Sequence, residues 1–454
     1  MKRITNIIVL LLITAPLFSQ NTALDKYIKL GIESNLVLKQ KELAHKEAIA
    51  KLKEARGLFM PEVSLSARYT IARGGRTIEM PLGDLMNPVY NSLNDLTGSN
   101  FPMIENESNL LQPEEEQETK IELVQPIFNR SIYLNKQIQK ENLGISEAEL
   151  HRYKESLVYQ IKEAYYNVLK SENILKLVQA TKELVQENLR VSKKLLENDM
   201  VTKEYVLRSK TEVNKVALSE TEALKGHQLA IAYLNFLLNH PLEEPIDTEV
   251  NTDPIQVFNQ LHLADQAVNK RADLKSMDHQ IESLELLAKV NSAANMPRLS
   301  LITNYGYLGE EYNFGSDYDV FTGTLSLNWT LFKGRINKRK RQQALIQKEQ
   351  AQLAKVNLSN NIRLEVKESL LEVNRQRQNI DLSKTQSRES QEVYKIIDKK
   401  YRIGESSLIE LMDARTNMTD AELNLIISQF DYWVSIAKLE YTTASYNFSQ
   451  NTSN

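Results

Sequence analysis

The stretches MPEVSLSARYTI (residues 60–71) and MPRLSLITNY (residues 296–305) share one pattern at two places in the chain. In each, a proline (Pro61 or Pro297) follows a helical pattern and must end it, because proline lacks an amide donor and clashes with the preceding turn. Apolar and polar residues then alternate, which indicates a β-strand with two different faces. This repetition predicts that the chain carries the same structural unit twice.

A second strand and a long helix follow in each half. The predicted strands are about 62–73 and 118–128, then about 298–308 and 320–332, and the predicted long helices are about 132–197 and about 336–402. The helices have seams with a seven-residue period, which is the period of a coiled coil. The seams are Ile161, Val168, Leu175, Lys182, Leu189 and Leu196, and Val366, Val373, Ile380, Ser387, Tyr394 and Tyr401. Shorter helical patterns lie at about 23–57 and 203–239 in the first half, and at about 257–294 and over about 40 residues after the second turn in the second half. They predict one long helix beside two stacked shorter ones in each half.

The boundaries follow from these patterns. Lys2 and Arg3 precede a short apolar run and a small residue, Ser19, so residues 1–20 are predicted to be a secretory signal peptide. The first repeat is then 21–239, a proline-rich linker is 240–256, and the second repeat is 257–447. Residues 448–454 are predicted to be a disordered tail.

Composition excludes several classes of function. Only 14 Gly and 11 Pro in 454 residues imply few turns and long helices. A net charge of −3 gives no large basic surface for nucleic acid, and the absence of Cys excludes disulfides, thiolate chemistry and a lipidated N-terminal Cys. The six His residues are dispersed, and no nucleophile motif or phosphate loop is present. We therefore expect no enzyme activity, no cofactor and no metal site.

No segment after the signal peptide is apolar enough to be a transmembrane helix, so membrane insertion requires strands closed into a barrel. Four strands cannot close a barrel alone, and unpaired edges in lipid are prohibitive. A membrane location therefore requires an oligomer, and the residues leave its copy number open. Alternation alone also fits a small sheet packed on a soluble domain.

Each long helix ends at one turn, Asn198–Thr202 in the first half and Ile403–Ser407 in the second. Gly404 is a good helix stop, and Thr202 and Ser407 are suitable caps for the helices that follow. Asp199 stands at the first turn where a Gly would be expected.

With these motifs, the chain resembles the TolC family of outer-membrane efflux proteins over its whole mature length. The resemblance rests on the duplicated helix–strand–strand–helix order, on Pro61 and Pro297, and on the strand ends QPIF (125–128) and WTLF (329–332). Its most specific element is YRIGESSLIELMDAR at residues 401–415.

The resemblance implies a mainly α fold with a membrane β-barrel, assembled as a homotrimer with a long α-helical barrel and about 12 strands in outer-membrane lipid. It further implies a passive exit conduit of a tripartite efflux or type I secretion system. The helical part would lie in the periplasm and dock onto a periplasmic adaptor (membrane fusion protein) and an inner-membrane pump. A periplasmic adaptor and a structural coiled-coil protein of the periplasm or cell surface are the competing hypotheses.

By the same resemblance, Glu410 and Asp413 would line a tapered periplasmic entrance, beside Gly404 at the turn, and Tyr401 would help to hold it closed. Ser406 stands where some members carry an Arg, so a charged latch is not expected there. In an oligomer the two carboxylates, three residues apart on one helix face, would form stacked rings that favour cations and raise some of their pKa values. The alternative is a solvated helix face with Asp413 paired to a neighbouring Arg.

Two other segments carry predictions. The basic run Lys338–Arg341 is expected to be a solvated face below the barrel. The connection from about Arg73 to Glu118, which contains LQPEEEQE (111–118), is expected to be a disordered acidic loop on the extracellular side.

Overall fold

The structure is a computed structural model that describes residues 22–111, 113–248, 262–310, 312 and 314–446. Several predicted segments lie outside the described residues. They are the signal peptide (1–20), the later part of the linker (249–256), the start of the second repeat (257–261) and the tail (448–454).

The element order repeats. The first repeat is α1 (Thr22–Ser34), α2 (Leu36–Gly57), β1 (Glu62–Ile71), β2 (Thr77–Met80), α3 (Leu82–Thr97), β3 (Glu107–Leu110), β4 (Glu115–Phe128), α4 (Arg130–Glu197) and α5 (Lys203–Leu237). The second repeat is α6 (Leu263–Lys270), α7 (Ala272–Ala293), β5 (Arg298–Gly309), β6 (Asp319–Asn328), α8 (Ile336–Arg402) and α9 (Leu408–Thr442). The helices α4 and α8 have 68 and 67 residues, and α5 and α9 have 35 residues each. The duplicated helix–strand–strand–helix fold predicted from the sequence is confirmed.

The four long strands form one antiparallel sheet in the order β1-β4-β5-β6. In the part of the chain that the structure describes, β1 pairs only with β4 and β6 only with β5, so both outer strands are open edges. The ladder between β4 and β5 is interrupted between Pro126 and Phe128, as expected for a proline that has no amide to donate.

One face of this sheet is apolar across all four strands. The register places Leu65 beside Ile121, Ile121 beside Tyr305, and Tyr305 beside Phe321. These side chains are uncovered: Leu65 is 73% exposed and Phe321 is 70% exposed. The opposite face is polar, and there Glu118 lies 2.9 Å from Arg68 and 2.6 Å from Lys120. An uncovered apolar face of this extent marks a surface that another apolar phase or partner covers.

The connection between β1 and β4 is ordered, so the prediction of a disordered acidic loop is wrong. The strands β2 and β3 form a hairpin that encloses α3. The side chain of Asn87 donates to and accepts from the backbone of Ile104, at 2.9 Å each way, and Asn94 accepts from the amide of Phe101 at 2.7 Å. The acidic residues Glu115, Glu116 and Glu118 belong to β4 itself. Hydrogen bonds of asparagine side chains thus hold this connection in place, and the composition did not predict them.

The first helical segment of each repeat is interrupted where the sequence predicted a continuous helix. The breaks fall at Asn35, between α1 and α2, and at Arg271, between α6 and α7. Asn35 accepts from the amide of Leu38 at 2.9 Å and donates to the carbonyl of Leu237 at 2.9 Å. Neither residue is a Gly or Pro, so backbone propensity alone does not predict the breaks, and side-chain hydrogen bonds of Asn35 and Arg271 accompany them. The second strand of the second repeat also ends earlier than predicted, at Asn328 rather than about 332.

The chain forms two compact units. One comprises Met1–Glu47, Leu143–Gln280 and Gln350–Asn454, and the other comprises Ala48–Asn142 and Ile281–Glu349. The first contains helical cores built on the predicted seams, with Ile161, Val168, Val366 and Val373 all buried. The second contains the four-stranded sheet. None of the helices that the structure describes is both long enough and apolar enough to cross a membrane.

The break at Arg271 generates a prediction. The Arg271 side chain is 3% exposed and lies 2.6 Å from Asp273 and 2.9 Å from Glu365. Arg271→Ala removes a buried guanidinium together with its ion pairs to the partly exposed Asp273 and Glu365, so we expect a loss of about 2 kcal/mol in the free energy of unfolding. Denaturant unfolding of the purified protein, followed by helical circular dichroism, measures this loss.

The matched control is Arg363→Ala. Arg363 pairs with Asp265 at 3.3 Å on an exposed surface, so its loss costs about 0–1 kcal/mol. Equal destabilisation by the two variants would contradict a structural role for the break.

Candidate functional site at the helical turns

The second turn is built by a glycine. Gly404 has φ +79°, a left-handed conformation that glycine adopts without strain. The amide of Gly404 donates to the carbonyl of Tyr401 at 3.1 Å, and the amide of Glu405 donates to the carbonyl of Lys400 at 2.8 Å. These bonds close the last turn of α8 in the manner of a Schellman motif and aim the chain into α9.

The N-terminus of α9 is closed by a capping box. The Ser407 hydroxyl accepts from the amide of Glu410 at 3.2 Å, and the Glu410 carboxylate accepts from the amide of Ser407 at 2.8 Å. Ser406 donates its hydroxyl to the same Glu410 oxygen, Oε2, at 2.5 Å. Glu410 therefore has a structural task in addition to the predicted place at an entrance.

The capping bonds fix the charge of Glu410. The hydroxyl of Ser406 and the amide of Ser407 stabilise the carboxylate and hold the pKa of Glu410 below its ordinary value. Repulsion between carboxylates in a ring of copies was expected to raise the pKa instead. In the single chain the local hydrogen bonds dominate, and Glu410 stays ionised.

Asp413 lies on the exposed side of α9, where it accepts from Asn417 Nδ2 at 3.2 Å. Among the described residues, Asp413 does not pair with a neighbouring Arg, which was the alternative. Asp413 and Glu410 instead line a groove of about 620 Å³ between α8 and α9, together with Glu389 and Asp420. The structure thus brings the two predicted carboxylates to one acidic groove.

Tyr401 lies on the other side of the turn, in the interior. It is 1% exposed and packs with Leu195, Leu408 and Leu411. Its hydroxyl lies 2.8 Å from Ser192 Oγ of α4, which in turn lies 2.9 Å from Ser209 Oγ of α5. Burial raises the pKa of Tyr401, so the phenol stays neutral and hydrogen-bonded. Its position links the second repeat to the first.

A buried ion pair makes a second link. Arg415 of α9 donates to Glu212 of α5, and both side chains are largely buried. Arg415 also donates to the hydroxyl of Thr416 at 3.0 Å. No sequence pattern singles out Ser192, Ser209, Glu212 or Arg415, since polar residues on a long helix carry no signal of burial. The capping box, in contrast, has a local sequence signature, Ser407-x-x-Glu410.

The first turn has the same geometry with different residues. Asp199 has φ +56°, and the amide of Met200 donates to the carbonyl of Leu195 at 2.9 Å. Asp199 therefore adopts the conformation that Gly404 adopts in the second turn. Thr202 occupies the cap position of α5 but makes no side-chain capping bond. The two turns lie side by side. A Cβ atom added to Gly404 in the second turn would lie 3.1 Å from Cε of Met200 in the first turn.

Comparison with known proteins identifies the architecture that carries these turns. The family described as "Outer membrane efflux protein" matches residues 263–440, which include the second turn. The chain is 20% identical to "Outer membrane protein TolC" of Salmonella enteritidis over 426 residues, which cover 91% of this chain and 80% of that protein. The TolC protein of Escherichia coli (strain K12) is also 20% identical, over 430 residues with the same coverage. The chain thus matches the outer membrane efflux protein family over residues 263–440 and is similar to the TolC proteins over most of its length.

The solved structures agree in fold. The outer membrane channel CmeC of Campylobacter jejuni superimposes with a TM-score of 0.75 at 17% identity, covering 93% of this chain and 85% of that chain. Together, the family match and the TolC relatives support an outer-membrane efflux channel that resides in the cell outer membrane. The turns are therefore features of a transport protein.

The asymmetry of the caps generates a prediction. Ser407→Ala removes the capping hydroxyl, and loss of such a cap costs about 1 kcal/mol. The backbone amides of residues 408–411 are then expected to exchange with solvent about fivefold faster. Hydrogen exchange followed by mass spectrometry measures this rate.

Thr202→Ala is the matched control at the first turn, where the hydroxyl makes no capping bond. It should leave the exchange of residues 203–206 almost unchanged. Equal acceleration at both turns would show that the capping box does not stabilise α9.

Proposed function

We propose that this outer-membrane efflux channel is a homotrimer, in which three copies of the sheet form one barrel of about 12 strands. It is a passive exit conduit from the periplasm to the outside, in a tripartite efflux or type I secretion system. The helices extend into the periplasm and receive substrate through a periplasmic adaptor and an inner-membrane pump.

The observation that carries this proposal is the open, two-faced sheet. Its apolar face spans all four strands and is uncovered, while its other face holds ion pairs around Glu118. Lipid outside and water inside favour that distribution. The open edges at β1 and β6 have unpaired backbone groups, which are very costly in lipid.

Closure of a barrel sets the smallest possible number of chains. The smallest membrane barrels have about 8 strands, so four strands per chain require at least two copies. Three copies give a lumen wide enough for water and small solutes. The family resemblance selects three.

This assembly predicts a discrete channel. We expect the purified mature protein to have a trimeric mass in detergent and to form small, stable, cation-preferring channels in a planar bilayer. Mass analysis and single-channel recording on one preparation test both. A water-soluble monomer without conductance would contradict the proposal and favour a coiled-coil scaffold or an adaptor.

At the periplasmic end, we place the entrance at the second turn. Glu410 and Asp413 are exposed in one groove, and Glu410 has a lowered pKa, which supports a charged ring at neutral pH. Gly404 shapes the turn, and Tyr401 fastens it from the interior. Capping by Glu410 Oε2 is compatible with this role, because the side chain remains exposed.

The entrance is tested by neutralising both carboxylates. In Glu410→Gln with Asp413→Asn, the cation-over-anion permeability ratio is expected to fall by roughly an order of magnitude, since the charges no longer concentrate cations. Reversal potentials under a salt gradient measure the ratio.

The control is Glu222→Gln with Asp278→Asn, which removes two exposed carboxylates from α5 and α7. It should leave the ratio unchanged. If the entrance variant conducts and selects like the native protein, Glu410 and Asp413 do not form the entrance rings.

A further inference from the structure

A groove of about 360 Å³ lies in the unit that contains the sheet, between the end of α7 and the first turns of α4 and α8. Four cationic side chains line it, namely Arg130, Lys289, Arg341 and Lys348. Glu285 is the single carboxylate among the described lining residues, so the groove has a net charge of +3. Such an excess of cations in one concavity suits an anionic ligand.

The two lysines are already neutralised in part. Glu285 lies 2.8 Å from Lys289 and 2.9 Å from Lys348, and these ammonium groups lower the pKa of Glu285 to about 2. The two arginines are not neutralised, because neither Arg130 nor Arg341 has a carboxylate within 4.0 Å among the residues described. Arg130 lies instead over the ring of Tyr133, at 4.8 Å from its centroid. The free guanidinium groups define the ligand chemistry, since arginine forks bind phosphate oxygens in pairs.

The floor of the groove is apolar. Leu134, Ala293, Met296 and Leu345 line it, and Leu134 and Ala293 belong to a buried cluster with Leu286. A cationic rim above an apolar floor matches a molecule that has a phosphate beside a hydrocarbon portion. Free inorganic phosphate would use only the rim.

The groove continues into an exposed basic run, which we define as the six cations Lys333, Arg335, Lys338, Arg339, Lys340 and Arg341. No acidic residue occurs between Trp329 and Lys348. Just before the run, Leu331 is 79% exposed and Phe332 is 80% exposed. Exposed apolar side chains followed at once by cations are typical of a chain segment that leaves a membrane at its headgroup layer.

The sheet places these features at one depth. The strand register pairs Phe128 with Leu299 and Arg298 with Asn328. The end of β4, the start of β5 and the end of β6 therefore lie at the same end of the sheet. Arg130 follows β4 by two residues, and Met296 precedes β5 by two. The groove therefore adjoins the strand ends that meet the helices.

We propose that the groove and the basic run bind the phosphate headgroup of an anionic phospholipid, in the outer-membrane leaflet on the side of the helices. The proposal rests on the proposed function, because it requires the apolar face of the sheet to lie in the outer membrane. Arg130 and Arg341 bind the phosphate oxygens. The apolar floor covers the start of the acyl chains, and the basic run attracts the negatively charged leaflet.

The test uses the full-length assembled protein and native mass spectrometry, in detergent micelles containing equal amounts of phosphatidylglycerol and phosphatidylcholine. We expect the native protein to retain phosphatidylglycerol in preference. Arg130→Gln with Arg341→Gln should reduce that preference by more than about tenfold, at roughly fivefold for each cation. Arg130→Lys with Arg341→Lys should restore it only in part, because the charge returns without the paired hydrogen bonds.

The matched control is Arg363→Gln with Arg375→Gln, which removes two exposed arginines that already have carboxylate partners. It should retain the native preference. A second variant, Lys338→Gln with Lys340→Gln, lies in the exposed run away from packed side chains and should weaken retention without affecting assembly. Equal retention of the two lipids by the native protein, or equal loss in the control, overturns the proposal.

Two further arms separate the alternatives. If inorganic phosphate releases the bound lipid as effectively as phosphatidylglycerol does, the groove is a free-phosphate site and the proposal fails. Single-channel conductance of the same preparations tests the duct independently. A double arginine variant that conducts normally but loses lipid preference supports the proposal, whereas a native protein that prefers phosphatidylglycerol without conducting contradicts only the proposed function.

Discussion

The unpaired backbone of β1 and β6 is the constraint on which the architecture depends. Each outer strand of the sheet presents a row of amide and carbonyl groups, and in hydrocarbon each unsatisfied group costs several kcal/mol. Among the described residues nothing else pairs with these edges, because the four long strands form a single open sheet. In the proposed assembly, closure with other copies would satisfy the edges and give the apolar face a lipid environment. A hydrogen-bonding requirement in the membrane is therefore the physical reason for proposing an assembly.

Duplication of one structural unit supplies the strands of the sheet. Positions at which the two repeats carry different residues identify residues that are specialised in one repeat. The helices α5 and α9 begin and end at matched positions, Lys203–Leu237 and Leu408–Thr442. With that alignment, Tyr205 and Arg208 stand in the first repeat where Glu410 and Asp413 stand in the second. Arg208 lies 2.6 Å from Glu204 on the same helix. The acidic pair therefore belongs to one repeat only, and around an assembled entrance it would occur at every second turn.

The sequence was most informative where backbone chemistry is dictated by residue type. Pro61 and Pro297 end helices wherever they stand, and alternation around Leu65 or Leu325 identifies a two-faced strand without any tertiary information. Gly404 was predicted as a helix stop and has the required positive φ. Asp199, which stands where a Gly would be expected, adopts the same conformation, because aspartate tolerates the left-handed region better than most residues do.

The sequence patterns did not predict the polar contacts between residues that are far apart in the chain. The break at Arg271 depends on Asp273 and on Glu365, and Glu365 lies 94 positions away in the chain. Order in the connection before β4 depends on Asn87 and Asn94. In the candidate site, the exposure of Glu410 and Asp413 follows from helix phase, whereas the contact of Tyr401 with Ser192 spans 209 positions. Such contacts have no local pattern.

These contacts also constrain how an entrance at the second turn could open. Tyr401 joins α8 to α4, and the Arg415–Glu212 pair joins α9 to α5, so both helices that flank the second turn are fastened to the first repeat in the interior. Separating the repeats exposes the Tyr401 ring to water and leaves a largely buried carboxylate and guanidinium apart, a costly state. Glu410, in contrast, is held by Ser406 and Ser407 within its own turn. A motion of the turn as a unit would preserve those bonds, so at the proposed entrance the charge of Glu410 would persist while the interior contacts would set the cost of opening.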